Sequence, residues 1–152
     1  MGTVTYPNEG VSKFVELNFV PVQVQITNKE MTDKYSVTWT PTILVLDAEG
    51  KEHYRSVGFV PPDEFIARFT VGKGRFHLGT DQVALARAEF EEAVERCPHP
   101  NVLPEAIYWK GVATYKHTHD PKMLREAYDT LKEKYPQSDW AQRAEPYKAI
   151  EA

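Results

Sequence analysis

The sequence predicts an α/β unit followed by an all-α unit within 152 residues. Up to about residue 70, short strand patterns alternate with short helical ones. From residue 80 onward only helical periodicity appears. Between them, "VGKGRFHLGT" carries Gly72 and Gly74 and reads as a linker. The expected organisation is an α/β domain over 1–71, a linker over 72–79 and a helical region over 80–152.

In the first part, Val11, Phe14 and Val15 give a short helix. "FVPVQVQIT" (19–27) alternates Val20, Val22, Val24 and Ile26 with Pro21, Gln23 and Gln25, a period-2 strand with one polar face. Pro21 removes a ladder donor, so this strand belongs at an edge. Asn28 can cap a helix running to about Tyr35, with Met31 and Tyr35 inward. "TILVLD" (42–47) is apolar up to its final Asp47 and reads as a strand covered on both faces. "DAEG" is a turn, with Gly50 free to take a positive φ. "KEHYRSVGF" is the antiparallel hairpin partner. Pro61 and Pro62 then open a helix whose first turn carries Asp63 and Glu64, with Phe65, Ile66 and Phe69 facing the sheet.

In the second part, Thr80 and Asp81 start a helix with Val83, Ala86, Phe90, Ala93, Val94 and Cys97 on one face, and "PHPN" stops it. Pro104 opens "PEAIYWKGVATYKH", apolar nearly all round and so sandwiched between neighbours. Asp120 caps a third helix carrying Leu124, Ala127, Tyr128 and Leu131, which "YPQS" ends. Asp139 caps a fourth, limited by Pro146. An offset of 38 pairs Arg87 with Arg125, Phe90 with Tyr128, Glu95 with Glu133, Pro98 with Pro136 and Ala106 with Ala144. Stacked helix pairs produce such a repeat, because each pair cannot bury its face alone.

The formal charge of −4 has no long run of either sign, and nothing resembles the clustered Lys and Arg of a nucleic-acid footprint. No apolar run reaches the roughly 20 residues of a membrane helix. The start "MGTVTYPNEG" lacks the basic and apolar regions of a signal peptide. Cys97 is the one cysteine, which excludes an internal disulfide and fits a reducing, cytoplasmic setting.

Residues 11–70 resemble the thioredoxin fold from just after the start of its first helix. The pattern is "FVPVQVQIT…YSVTWTPTILVLDAEGKEHYRSVGF", with Thr40-Pro41-Thr42 where the family has a Pro, usually cis, ahead of a strand. The resemblance implies that the loop at Trp39, Thr40 and Pro41 lies against the substrate site. Residues 80–147 resemble tetratricopeptide-type hairpins through Tyr108-x-x-Gly111, Ala127-Tyr128 and Pro136, with a Gly-to-Pro spacing one residue longer than the family's. The fold class expected is therefore an incomplete thioredoxin-like sheet with flanking helices, followed by tetratricopeptide-like helical hairpins.

Thioredoxin-like oxidoreductases act through Cys-x-x-Cys at the start of the first helix, where the thiolate is the nucleophile. The chain has no such motif. By resemblance the motif and its strand would lie just upstream of Met1, which is then either an internal methionine of a longer protein or the start of a shortened one. That strand would sit between 19–27 and 42–47. Without it, 19–27 either moves over to pair directly with 42–47, the expected arrangement in one copy, or a second copy supplies a strand. A dimer is expected to cover the remaining apolar face.

Cys97 and His99, with His117 and His119, are weak zinc candidates, since neither spacing is a usual structural zinc pattern. Tyr108, Trp109 and Tyr115 could line a peptide groove, with core packing expected for at least two of them. The functional expectation is a non-catalytic thioredoxin-like protein with no cofactor. It acts through a protein or peptide partner or through self-association. The alternatives are a shortened thiol–disulfide oxidoreductase, or metal or small-ligand binding near Cys97.

Overall fold

In the computed structural model, which describes residues 1–151, the first helices begin where capping side chains stand. Asn8 Oδ1 accepts from Val11 N–H and starts α1, Glu9–Asn18. Asn28 Oδ1 accepts from Met31 N–H and starts α2, Lys29–Lys34, as expected of an asparagine there. Strands β1 (Thr42–Leu46) and β2 (Glu52–Val57) form a two-stranded antiparallel sheet. The turn between them has Gly50 at φ +80°, and Asp47 Oδ1 accepts from Glu49 N–H and Lys51 N–H. Helix α3 follows, Pro62–Gly79. The chain divides into two units between Ile66 and Ala67, inside α3.

The N-terminal unit is built on the hairpin. Ile43 faces Ser56 and Val45 faces Tyr54 across the pair, and Val45, Tyr54 and Ser56 are buried. Val11, Val60 and Phe65 are buried with them. Thr5 Oγ1–H donates to Val60 O at 2.6 Å, and Tyr6 meets Phe65 edge to face, so the N-terminal turn is tied to the start of α3. Tyr35 at the end of α2 donates from its hydroxyl to Gly50 O at 2.9 Å. Arg55 Nη2–H donates to Tyr35 O at 2.6 Å, which anchors α2 to the hairpin.

Two expectations are corrected here. Residues 19–27 are not a strand, and among the described residues they pair with none, neither β1 nor any other. Alternation gives a segment two unlike faces, but a strand also needs a backbone partner, and none is provided. Consequently β1 is not covered on both faces: only Val45 is buried along it, and Leu46 is exposed.

The C-terminal unit is helical throughout: the remainder of α3, then α4 (Val83–Glu95), α5 (Leu103–Thr118), α6 (Lys122–Lys134), α7 (Asp139–Arg143) and a closing 3₁₀ turn, Glu145–Ala149. The stretch read as a linker, 72–79, is the second half of α3. Glycine in a helix costs about 1 kcal/mol against alanine, but here it serves packing. A Cβ on Gly74 would lie 2.5–2.8 Å from the Phe90 ring of α4. Thr80, expected to open α4, instead closes α3, its hydroxyl donating to Phe76 O and His77 O. Ser138, not Asp139, caps α7 by accepting from Ala141 N–H.

Successive helices pack side by side: Lys73 meets Glu89 across α3 and α4, Phe90 meets Trp109 across α4 and α5, and Gly111 lies against Ala127 across α5 and α6. Small residues keep them close, with Ala86, Ala93, Ala106, Ala113 and Ala127 all buried. Tyr128, Leu131, Ala141 and Ala144 form a cluster flanked by Ile107, Tyr108, Tyr135, Trp140 and Tyr147. The sequence offset has a structural counterpart: Phe90 and Tyr128 are both buried, while Arg87 and Arg125 pair four residues on with Glu91 and Asp129.

A methyl group on Gly111 would stand 2.5 Å from Ala127 Cβ and 3.1 Å from Met123 O, neither of which moves without its helix. Gly111→Ala should therefore destabilise the chain by roughly 1–3 kcal/mol in urea unfolding, although alanine is the better helix former. A neutral or stabilising result would mean that α5 and α6 are not in this contact.

Candidate functional site

Register decides which backbone groups of β1 are available. Gly58 N–H donates to Pro41 O at 2.8 Å, so residues 41 and 58 face each other as a hydrogen-bonded pair. Bonded and non-bonded pairs alternate along an antiparallel ladder. Ile43 and Val45 thus spend their N–H and C=O on β2, and Thr42 and Leu44, with Leu46 beyond the irregularity after Val45, turn theirs away. Among the described residues no strand lies on that side. This outward edge carries no charge and no proline inside the strand, the devices that usually block strand addition.

The loop ahead of β1 stands at one end of this edge. Ser36 takes φ +51°, and Val37 N–H donates to Thr32 O, which turns the chain out of α2. Trp39 is 67% exposed. Thr42 Oγ1–H donates to Trp39 O at 2.6 Å and holds the loop against the strand. The Thr40–Pro41 peptide bond is cis, as the resemblance implies. Trp39, Thr40 and Pro41 are therefore adjacent to the open edge, and Val57 and Phe59 at the end of β2 are exposed as well. The sequence places an unfilled position beside 42–47 and expects 19–27 to take it; the structure leaves that edge open. Its signal is the uncharged run "TILVL".

At the other end of the hairpin, His53 Nε2 lies 2.8 Å from Asp47 Oδ2 with both side chains largely enclosed. The hydrogen bond from His53, with that from Lys51 N–H, holds the Asp47 carboxyl below its usual range. This pair joins the two strands across the turn and braces β1.

In the helical unit, Cys97 follows the end of α4 and is half-buried. Its thiol donates to Glu92 O at 3.5 Å and lies 3.7 Å from Thr70 Oγ1. Burial pushes its pKa up, the Thr70 contact offsets this in part, and Glu92 and Glu89 add to the rise. A thiol kept protonated is a poor nucleophile and a poor metal ligand. The candidate set Cys97, His99, His117 and His119 is not gathered: among the described residues no group of three or more His, Cys, Asp and Glu side chains could hold a metal ion. His99 Nδ1 instead accepts from Asn101 N–H, and His119 ends α5 at φ +60°.

Tyr108 and Trp109 point into the helical unit. Tyr108 and Tyr147 stack with their hydroxyls 3.0 Å apart, and Trp109 stacks on Phe90 beneath the Arg75 guanidinium. Burial and the Tyr108 contact drive the Tyr147 pKa far above its ordinary value of 10.0. Only Tyr115 of the three is exposed.

With this geometry in place, the comparison with known families is specific. Residues 3–71 match the family described as the thioredoxin-like domain. The N-terminal segment thus carries a thioredoxin-like fold, present here as a two-stranded sheet with flanking helices and followed by a helical region. No curated protein and no solved structure matches the chain. Among the described residues, no helix is long and apolar enough to cross a membrane.

A buried polar group on α3 has a pH signature. His77 Nδ1 is buried and finds no partner among the described residues, while Nε2 lies 4.0 Å from Glu89 Oε1. Lys73 holds that same oxygen at 2.8 Å. Burial lowers the His77 pKa below 6.5, with Lys73 acting in the same sense and Glu89 opposing. The unfolded chain therefore takes up this proton more readily than the folded one. The contribution to stability is complete above pH 6.5 and declines as pH falls below it. His77→Gln should flatten the loss of stability between pH 7 and pH 5 relative to the parent chain in parallel urea titrations. Identical pH profiles would refute the assignment.

Proposed function

We propose that this chain is a thioredoxin-like interaction protein that receives an extended strand along the outward edge of β1, and that it performs no dithiol chemistry itself. The supporting observation is the open, uncharged edge at Thr42, Leu44 and Leu46 beside the exposed Trp39. Strand addition draws affinity from main-chain hydrogen bonds and selectivity from alternate side chains, and the Trp39–Pro41 loop is placed to read the latter. Dithiol exchange needs two cysteines, and the chain has one, whose thiol burial keeps protonated. The partner is accordingly a protein or peptide in extended form, without nucleic acid, membrane or cofactor. We read the helical region as tetratricopeptide-like, with Tyr115 on its accessible side, and place the protein in the cytoplasm, where a single reduced cysteine is usual.

A second reading is that the chain is the redox-inert part of a thiol–disulfide oxidoreductase whose Cys-x-x-Cys lies upstream of Met1. It is favoured by the family match and by Trp39, Thr40 and Pro41 standing where the family meets substrate.

The two readings differ upstream of Met1, where an in-frame Cys-x-x-Cys in the coding sequence would favour the second. Within this chain, peptide titration and insulin reduction test the strand-receptor reading and the absence of dithiol chemistry. A synthetic peptide of alternating valine and threonine, titrated into ¹⁵N-labelled chain, should shift the amides of Thr42, Leu44 and Leu46 and the Trp39 indole. A peptide of alternating glutamate and lysine should not. No change at β1 with either peptide, in chain dilute enough to be monomeric, would defeat the strand-receptor reading. Insulin reduction by the purified chain should stay at background, and turnover above it would refute the absence of dithiol chemistry.

A further inference from the structure

The chain carries, besides an open edge, a segment suited to fill it. Residues 19–27, "FVPVQVQIT", follow α1, and Val20, Val22, Val24 and Ile26 are all exposed, Val20 at 91% and Val22 at 80%. In extended backbone the side chains of Val20, Val22, Val24 and Ile26 share one face. The backbone groups of 21, 23 and 25 point to one edge and those of 20, 22, 24 and 26 to the other. Pro21 has no N–H, so the first edge is defective and the second intact. Such a segment can be taken up on one side only. The outward edge of β1 likewise offers one side only.

We propose that the occupant of the β1 edge is the 19–27 segment of a second copy of this chain, exchanged reciprocally about a two-fold axis. This inference rests on the strand-receptor reading and names its partner. The chain's own segment is not on its own edge in the structure, although α2 and its loops connect the two. Neither "FVPVQVQIT" nor "TILVL" contains a charged residue, so two copies of an acidic chain meet here without like-charge repulsion. Reciprocal exchange about a two-fold axis fills both edges with both donor segments, so the assembly closes at two. A single short pairing is a small contact. Two of them bring eight aliphatic side chains into the contact, and stable interfaces begin at roughly 1,200 Å².

The test uses the full chain. Sedimentation velocity should give a monomer at low concentration and a dimer at high concentration. Val20→Glu with Val22→Glu should weaken dimerisation by on the order of 100-fold while leaving the circular dichroism unchanged, both sites being exposed in one copy. A nitroxide on Gln23→Cys in a Cys97→Ser chain, mixed with ¹⁵N-labelled chain, should broaden the Thr42, Leu44 and Leu46 amides of the labelled copy. A dimer without that broadening overturns the exchange, as does a monomer at every concentration. If the valine–threonine peptide still shifts β1 in that monomer, the exchange alone is lost. If it does not, the strand-receptor reading falls with it.

Discussion

A strand in a two-stranded antiparallel sheet can spend only half of its backbone hydrogen-bonding groups on its neighbour, and β1 is in that position. The Pro41–Gly58 bond sets the phase, so Ile43 and Val45 are satisfied by β2 while Thr42, Leu44 and Leu46 depend on whatever lies outside. A buried backbone group left unpaired costs about 1–3 kcal/mol. The outer edge must therefore face water or another strand. The same constraint accounts for the modest burial of an apolar strand: without a second neighbour the sheet is too narrow for flanking helices to enclose it. The anchoring of α2 through Tyr35 and Arg55, and the Asp47–His53 contact at the turn, keep that edge in a defined shape although it is half unpaired.

The helical unit solves a different problem. Its helices satisfy their own backbones, so what remains is side-chain packing. Gly74 and Gly111 permit close approach to Phe90 and Ala127, and buried alanines on α4, α5 and α6 continue the seam. The larger aromatics, Tyr108, Trp109, Trp140 and Tyr147, fill the space beyond that seam by mutual contact. Trp109 and Tyr108 are thereby committed to internal packing, which narrows the accessible surface of this unit to residues such as Tyr115.

Chemistry follows from these placements. Cys97 sits where α4 ends, enclosed by Thr70 and near two glutamates, surroundings that favour the thiol over the thiolate. His77, Lys73 and Glu89 form a charge-compensated group in which Lys73 competes for the one oxygen the imidazole could use. Both arrangements make titration a matter of stability rather than of reactivity.

Sequence alone determined the helices other than the second half of α3, the hairpin with its turn at Gly50, the Asn28 cap and the identity of Pro41 as a strand-leading proline. These are local properties, set by periodicity, by capping chemistry and by φ preference within a few residues. Tertiary structure decided the rest. Gly72 and Gly74 read as punctuation until Phe90 is seen against the second of them, because close packing is invisible in one helix taken by itself. The 19–27 segment shows clear alternation and still forms no strand, and "TILVL" reads as enclosed yet keeps an open edge. A helix closes its hydrogen bonds within its own residues. A strand borrows its partner from elsewhere, so whether it is paired can be settled only by what the rest of the fold, or another chain, brings alongside.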